Sequence, residues 1–263
     1  MPANNLRAIA KARTLACDAV ILDLEDAVGE GGKEAARAAA SQALAGRAFG
    51  PRLTVVRINA LTGAWGADDL KAARGADAVL LPKVESAADL AAARALAPAM
   101  PLWAMIETPA AILALPAIAR GAAALVLGAN DLLKEMRARH RADRANLHHA
   151  MAALVTAARA QDALALDGVH NEIADLAGFE SACRMARDFG FDGKTLIHPA
   201  QIEIARDAFT PSAEEVDRAR RLLAAFAAPE NRDKGAIAFE GRMVERLDAD
   251  LARDMLDRAE RTA

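Results

Sequence analysis

The chain has 263 residues, a net charge of −3, 54% apolar residues and only 3% aromatic residues. This length fits one α/β barrel or two smaller domains. No basic excess is available to neutralise phosphates, so nucleic acid is excluded as an expected partner. Two cysteines, Cys17 and Cys183, are too few for a disulfide scaffold. The most apolar window, residues 108–130, contains two prolines and an arginine, so we expect no membrane span and a cytoplasmic location.

Seven short apolar runs predict buried strands. Each is rich in Val, Ile and Leu, is too short for a buried helix, and opens apolar but closes polar. The runs cover residues 19–27, 54–60, 78–84, 102–108, 124–131, 164–170 and 192–199. Helices are predicted before and between them, at residues 6–15, 33–44, 86–97, 147–160 and 176–189. This alternation of strand and helix predicts a parallel sheet.

We expect the sheet to close into a (β/α)8 TIM barrel. No glycine-rich nucleotide-binding motif follows any run, and polar residues stand where the catalytic groups of such barrels lie, at the strand ends. Residues 1–5 are too short for a first strand, so that strand is expected to be truncated or replaced by a stub. The barrel is predicted over residues 1–210. A C-terminal helical extension is predicted over residues 211–263, with helices at 212–225 and 244–261 around a short strand at 236–239, and it is a candidate lid or swapped arm.

Acidic residues at strand ends are the strongest chemical signal. Glu107 and Asp131 end consecutive predicted strands, one strand–helix unit apart. Because neighbouring strands lie about 4.8 Å apart, both carboxylates can share one ion, and two carboxylates with water and substrate oxygens are a usual way to hold Mg²⁺. The alternative is that each acid caps the next helix or pairs with Lys83. With Glu25 and Asp26 at another strand end, a metal site is the favoured interpretation.

Other polar strand ends leave alternatives open. Arg57 ends a strand of Val and Ile residues, so its charge needs an anionic partner. Either it forms a structural ion pair with Glu25, or its guanidinium group binds a substrate carboxylate through two N–H groups. The turn over residues 128–131 offers backbone N–H groups to an anion, or is an ordinary tight loop. His170 and His198 are expected to be hydrogen-bonded rim residues rather than general bases.

Seven motifs resemble, in order, those of the citrate lyase β-subunit-like branch of the HpcH/HpaI aldolase superfamily. They read AVILDLEDAV, VVRINA, LPKVES, MIETP, LGANDL, DGVHN and FDGKTLIHPAQI. The resemblance implies a Mg²⁺-dependent (β/α)8 barrel, trimeric or hexameric, that makes or breaks C–C bonds next to a thioester. It implies that Glu107 and Asp131 are the metal ligands. It also implies that Arg57 is the arginine that grips the keto-acid carboxylate.

The same motifs imply roles for further residues. Glu25 and Asp26 match acids beside the metal and its waters, and Lys83 matches a lysine at the same end of the barrel. Gly128, Ala129 and Asn130 match the loop whose amides hold the keto-acid. Glu245 stands in the segment where relatives acting on malyl or citramalyl thioesters carry an aspartate that reaches a neighbouring subunit. Glu245 is therefore our candidate proton carrier.

The predicted function is retro-Claisen cleavage of a β-hydroxyacyl thioester, of the citryl-CoA or malyl-CoA type, to a 2-oxo acid such as oxaloacetate and an acyl-CoA. Mg²⁺ on Glu107 and Asp131 would bind the hydroxyl and carboxylate oxygens, while Arg57 and the amides of residues 128–131 would fix the carboxylate. Hydrolysis of the thioester and a malate synthase-like condensation are alternatives at the same site. A non-catalytic subunit of a larger complex is a third alternative. The acyl carrier, CoA or an acyl-carrier protein, stays open.

Overall fold

The computed structural model describes residues 1–262, which fall into two compact units divided between Glu203 and Ile204. The first unit holds a seven-stranded parallel sheet. The second holds a two-stranded antiparallel sheet and two long helices. The division predicted from the sequence lies slightly later, after residue 210.

The seven strands of the first unit pair in chain order, each parallel to its neighbours. They are β1 Ala19–Asp23, β2 Leu53–Arg57, β3 Ala78–Leu81, β4 Leu102–Ile106, β5 Ala124–Leu127, β6 Leu164–Asp167 and β7 Gly193–Lys194. All seven predicted strands are confirmed, but each stops short of the end of its predicted run. The polar residues that close the runs lie in the loops or helix starts that follow, so they are free to form a site at the carboxyl edge of the sheet.

Helices alternate with these strands. They are α1 Leu6–Ala12, α2 Lys33–Ala45, α3 Gly66–Ala72, α4 Ala87–Leu96, α5 Pro109–Ala119, α6 Ala129–Glu135, α7 His148–Arg159, α8 Leu176–Phe189 and α9 Gln201–Phe209. The predicted helices agree with the observed ones to within three residues. Helices α3, α5, α6 and α9 were not predicted. Of these, α6 corrects the sequence interpretation, because residues 129–131 begin a helix instead of forming a loop.

Eight-stranded closure stays a prediction, because the sheet of the described residues has seven strands, with β1 and β7 at its edges. A short N-terminal stub extends it at β1. Pro2 forms a parallel bridge with Asp23, the Asp23 N–H donates to Met1 O at 2.9 Å, and the Ala3 N–H donates to Asp23 O at 2.9 Å. The curled sheet and its sequential strand order are those of a TIM-like fold.

Apolar residues bury the sheet on both faces. All four residues of β3 and all four of β5 are buried. Val55, Leu80, Trp103 and Val126, from four successive strands, pack in one cluster. A parallel sheet with both faces covered requires such unbroken apolar runs. Because the strands are all parallel, their carboxyl ends lie at one edge of the sheet, and the polar residues lie there too.

The second unit has its own small core. Its elements beyond α9 are α10 Ala213–Ala227, β8 Ala236–Phe239, β9 Arg242–Glu245 and α11 Arg246–Thr262. Leu222, Phe226 and Ile237 are buried together with Val244. The predicted strand β8 is confirmed, while its partner β9 takes the first residues of the predicted final helix. Across residues 1–262, none of the helices is both long enough and apolar enough to cross a bilayer.

Candidate active site

Arg57, at the end of β2, is bound by acids that lie at the end of β1 and just after it. Its Nε donates to Asp23 Oδ1 at 2.8 Å, its Nη2 donates to the other oxygen of Asp23, and its Nη1 lies 2.9 Å from Glu25 Oε2. Asp26 Oδ2 lies farther from Nη1, at 3.8 Å. The register of the sheet sets the main contact, because Asp23 and Arg57 are directly paired on neighbouring strands.

This ion network decides which part of Arg57 is available. Burial favours the neutral form of Asp23, but the hydrogen bonds and charge of Arg57 outweigh it and hold the pKa of Asp23 below its ordinary value. Burial raises the pKa of Glu25, with Arg57 opposing and Asp26 adding to the effect. One edge of the guanidinium group is thus taken by Asp23. On the other side, Nη1 lies against Glu25 and Met105 Sδ, at 2.9 and 3.8 Å. The structural ion pair considered in the sequence analysis is therefore present, with Asp23 as its main partner.

Asp23 was missed as a site residue in the sequence analysis. It is 5% exposed and also accepts the N–H groups of Glu25, at 2.9 Å, and Ala27, at 3.3 Å. The signal available was the spacing of Asp23 and Glu25, two residues apart at the end of an extended run, which places both on one side of the chain. Asp23 therefore shapes the loop that carries Glu25.

Lys83 connects this network to the next strand end. Its Nζ lies 3.3 Å from Glu25 Oε1, and its backbone N–H donates to Glu107 Oε1 at 2.7 Å. Lys83 has a left-handed backbone, with φ of 50°. The sequence alternative of a Glu107–Lys83 pair is thus realised through the backbone amide, while the ammonium group faces Glu25.

Glu107 and Asp131 lie on neighbouring strand ends. Glu107 follows β4, Asp131 lies in the first turn of α6 after β5, and Ile106 pairs with Leu127 in the sheet. Glu107 is 2% exposed. Burial, with smaller contributions from the charges of Asp131 and Glu25, raises the pKa of Glu107 to about 7, although the Lys83 N–H opposes this.

Glu107 differs from every other buried carboxylate of the described residues. Asp23 and Glu25 pair with Arg57, Asp69 pairs with Arg37, and Asp167 pairs with two cations. No such ion pair is formed by Glu107 or Asp131 anywhere in residues 1–262. A buried carboxylate beside a second acid, without a cation from the protein, is expensive unless something neutralises it.

This donor set fits a divalent cation. Mg²⁺ commonly takes one or two carboxylates and completes its shell with water and substrate oxygens. Residues 1–262 contain no group of three His, Cys, Asp or Glu side chains that could hold a metal, so the chain offers two acids rather than a closed cage. Glu107 and Asp131 as Mg²⁺ ligands remain a prediction that this geometry supports.

Gly128 is required where α6 approaches Glu107. A Cβ at this position would lie 2.3 Å from Glu107 Cβ and 2.6 Å from Glu107 Oε2. Its φ of −93° is ordinary, so the requirement is for space. The N–H groups of Ala129 and Asn130 lie in the first helical turn, where no carbonyl of the helix can accept them. The Asn130 side chain accepts from Asn171 Nδ2 at 2.8 Å.

A second buried charge cluster, also missed, lies at the ends of β6 and β7. Asp167 accepts from Arg144 at 2.6 and 2.8 Å and from Lys194 at 2.6 Å. Lys194 also donates to Gly168 O. A Cβ on Gly168 would lie 2.4 Å from Leu127 O, so this cluster holds the β6 loop tightly against the residues that precede α6.

The remaining candidates have separate environments. His198 is exposed and its Nδ1 accepts the Ala200 N–H at 3.2 Å, while the Nε2 of His170 is buried without a hydrogen-bond partner in the described structure. Burial raises the pKa of Cys183 to about 11, which agrees with an inert thiol. Glu245 belongs to the second unit, where it is exposed at the end of β9.

Replacing Gly128 by alanine tests the close approach of α6 to Glu107. We expect Gly128→Ala to weaken Mg²⁺ binding about tenfold or more, because the new Cβ must displace the Glu107 carboxylate. Isothermal titration calorimetry measures this. Gly31→Ala is the matched control, since a Cβ there meets nothing within 4 Å. Equal affinity in the two variants would contradict the assignment of Glu107 as a ligand.

The raised pKa of Glu107 predicts a pH-dependent metal affinity. Protons compete with the cation below the pKa of about 7, so Mg²⁺ affinity should rise with pH and level off above it. Between pH 6 and pH 8 we expect about a tenfold gain, from the ionised fraction alone. Titration calorimetry at several pH values measures it, and Glu107→Gln should bind weakly with no such dependence. A flat profile in the unmodified chain would contradict the prediction.

The chain is similar to proteins of known family. Residues 1–199 match the family HpcH/HpaI aldolase/citrate lyase. A (3S)-malyl-CoA thioesterase of Cereibacter sphaeroides is 43% identical, over 100% of this chain and 94% of the relative. The CitE protein of Mycobacterium tuberculosis, crystallised with magnesium, acetoacetate and coenzyme A, is 39% identical with a TM-score of 0.84, over 99% of this chain and 96% of that one.

A citrate lyase β subunit from the same organism, complexed with oxaloacetate and magnesium, is 37% identical with a TM-score of 0.70, over 80% of this chain and 95% of that one. Magnesium with coenzyme A or oxaloacetate is therefore found in crystals of structurally similar proteins. The resemblance seen in the seven motifs is confirmed by a match that spans the whole first unit except its last few residues. The chain belongs to the HpcH/HpaI aldolase/citrate lyase family.

Proposed function

We propose that the chain is a Mg²⁺-dependent enzyme that hydrolyses a β-hydroxyacyl-CoA thioester of the malyl-CoA type. The observation that carries the metal-dependent site is the buried Glu107 carboxylate, which lies beside Asp131 and has no cationic partner among the described residues. The similarity to a malyl-CoA thioesterase over nearly the full length of both chains supports the substrate class and the hydrolytic outcome. The acids of the metal-dependent site both belong to the first unit.

The roles of the charged residues follow from their positions. A Mg²⁺ ion held by Glu107 and Asp131 would supply positive charge for the hydroxyl and carboxylate oxygens of the hydroxyacid. Arg57 would bind the same carboxylate through its Nη1 side, helped by the first-turn amides of α6. Lys83, whose side chain is 50% exposed, is placed to attract the negative charge that develops on the thioester oxygen.

Glu25 and Asp26 are the candidate bases. Hydrolysis requires a water to lose a proton as it attacks the thioester carbonyl, after which the C–S bond breaks and the thiolate takes up a proton. Burial raises the pKa of Glu25, which makes its carboxylate a stronger base. Asp26, with a side chain 56% exposed, lies where water can reach it.

Carbon–carbon cleavage at the same site is the second candidate. It is favoured by the similar protein that binds oxaloacetate together with magnesium, because a 2-oxo acid is a product of that reaction. In that case the hydroxyl proton is removed, the C–C bond breaks, and the enolate carbon of the acyl thioester takes up a proton. Glu245, supplied by a neighbouring subunit of a trimer or hexamer, is our candidate for that protonation. An acyl-carrier-protein thioester in place of CoA stays within this proposal.

Product analysis tests the proposal directly. Incubation with Mg²⁺ and malyl-CoA should release malate and free CoA, whereas C–C cleavage would give glyoxylate and acetyl-CoA. Mass spectrometry distinguishes the two product pairs. We expect Asp131→Ala to abolish turnover and Asp68→Ala, an exposed helical acid paired with Lys71, to leave it unchanged. If none of the malyl, citramalyl and citryl thioesters gives a product, the proposed function is rejected.

Substitution of Arg57 tests carboxylate binding. We expect Arg57→Lys to raise the KM for the thioester about 10- to 100-fold, because an ammonium group cannot hold Asp23 and a substrate carboxylate at once. Steady-state kinetics measure this. Arg141→Lys is the matched control, since Arg141 also binds an aspartate, Asp143, through two nitrogens but is exposed. An unchanged KM in Arg57→Lys would count against its role in binding.

A further inference from the structure

Lys33 is a buried cation held by neutral oxygens. It is the first residue of α2 and is 7% exposed. Its Nζ donates three hydrogen bonds, each of 2.8 Å, to Leu24 O, Glu25 O and Asn59 Oδ1. A lysine ammonium has three N–H donors, so all of them are used. A buried lysine is normally paired with an acid, and no such pair is formed here among residues 1–262.

The three acceptors lie on the two loops that carry the ion network. Leu24 and Glu25 directly follow β1, and Asn59 lies two residues after Arg57, the end of β2. Asn59 Nδ2 also donates to Leu24 O at 2.8 Å. Lys33 and Asn59 therefore bind the same carbonyl group, that of Leu24, which ties the two loops together next to Glu25 in the chain.

Asn59 is itself bound by Asp69 of α3. Asp69 of α3, with no exposed surface, accepts from both nitrogens of Asn59, at 3.0 Å from the backbone N–H. The other oxygen of Asp69 accepts from Arg37 Nε at 2.9 Å. Arg37 lies one helical turn after Lys33 on α2, so both ends of this chain of hydrogen bonds start from one face of one helix.

The three hydrogen bonds of Lys33 fix the positions of the groups that they join more than they stabilise the fold. An apolar side chain would fill the space without the desolvation cost of an ammonium group. Three bonds from one nitrogen, in contrast, hold the carbonyl groups of Leu24 and Glu25 at fixed positions relative to the Asn59 side chain. Glu25 in turn places its carboxylate on Arg57 at 2.9 Å and on Lys83 at 3.3 Å.

We propose that Lys33 is a positioning residue: it holds the main chain of Glu25 against the loop of Arg57, so that the Glu25 carboxylate is oriented for its role as a base. This inference rests on the proposed function. Lys33 forms no hydrogen bond with Glu107 or Asp131 in the described structure, so the cation site should survive its loss.

Lys33→Met in the full-length chain, with Mg²⁺ and malyl-CoA, tests this inference. Methionine keeps the apolar stem and removes the three donors. We expect kcat to fall about a hundredfold, with KM and the Kd for Mg²⁺ each changed less than about threefold, because a displaced base slows the reaction without removing binding groups. Lys71→Met is the control, since Lys71 is exposed and its ammonium group pairs with Asp68 one turn away. An unchanged kcat in Lys33→Met would overturn the inference.

A double-variant cycle separates positioning from a general loss of structure. In a Glu25→Gln background, Lys33→Met should cause no further loss of kcat, because the group that it positions is already gone. A further loss of the same size would overturn the inference. If Lys33→Met does not fold, Asn59→Ala, which removes one of the three acceptors, takes its place in the same cycle with the same criteria.

Hydrogen exchange provides a readout that does not require turnover. Release of the loop should speed amide exchange over residues 24–28 and leave the other strand ends unchanged. Faster exchange across the whole first unit, or no change in the loop, would overturn the inference. If the unmodified chain proves inactive on every thioester, the proposed function fails, while this measurement still decides whether Lys33 holds the loop of Glu25.

Discussion

An uncompensated negative charge at the carboxyl edge of the sheet is the constraint on which the site depends. Among the described residues, each buried carboxylate has a cationic partner except Glu107, and Glu107 has Asp131 as its neighbour. Folding alone would select against such an arrangement, because a desolvated acid next to another acid weakens the native state. The divalent cation that we propose to bind there would compensate this charge and so explain its presence.

The surrounding structure keeps that charge in place without neutralising it. The Lys83 amide binds one oxygen of Glu107, and Gly128 lets α6 approach closely. Asp23 takes one edge of Arg57, so the guanidinium group stays at the site with its other edge turned towards Glu25. The groups of this site therefore come from the ends of five successive strands, β1 to β5, which is the form that catalytic sites take at the carboxyl edge of parallel sheets.

Hydrolysis and C–C cleavage make different demands on the same groups. Both require the hydroxyacid to be bound and the thioester carbonyl to be polarised, and we propose that residues of the first unit do both. They differ in the group that moves a proton: a base for water in one case, an acid for an enolate carbon in the other. Glu25 and Asp26, the candidate bases, belong to the first unit, and Glu245, the candidate acid for C–C cleavage, belongs to the second.

The sequence alone determined the strands of the parallel sheet and the polar residues that follow them. Short, unbroken apolar runs predicted all seven parallel strands, and the order of the motifs identified the family. Both signals are local in the chain. The pairing of Glu107 with Asp131 at adjacent strand ends also followed, since consecutive parallel strands are neighbours.

Only the tertiary structure decided which charges are satisfied. Asp23, not Glu25 alone, binds Arg57, and the Lys83 backbone reaches Glu107. Lys33 crosses from a helix to two loops, a contact that depends on how α2 packs and leaves no local pattern in the sequence. Hydrogen-bond partners of long side chains depend on distances between elements far apart in the chain. Those distances exist only once the sheet and its helices have packed.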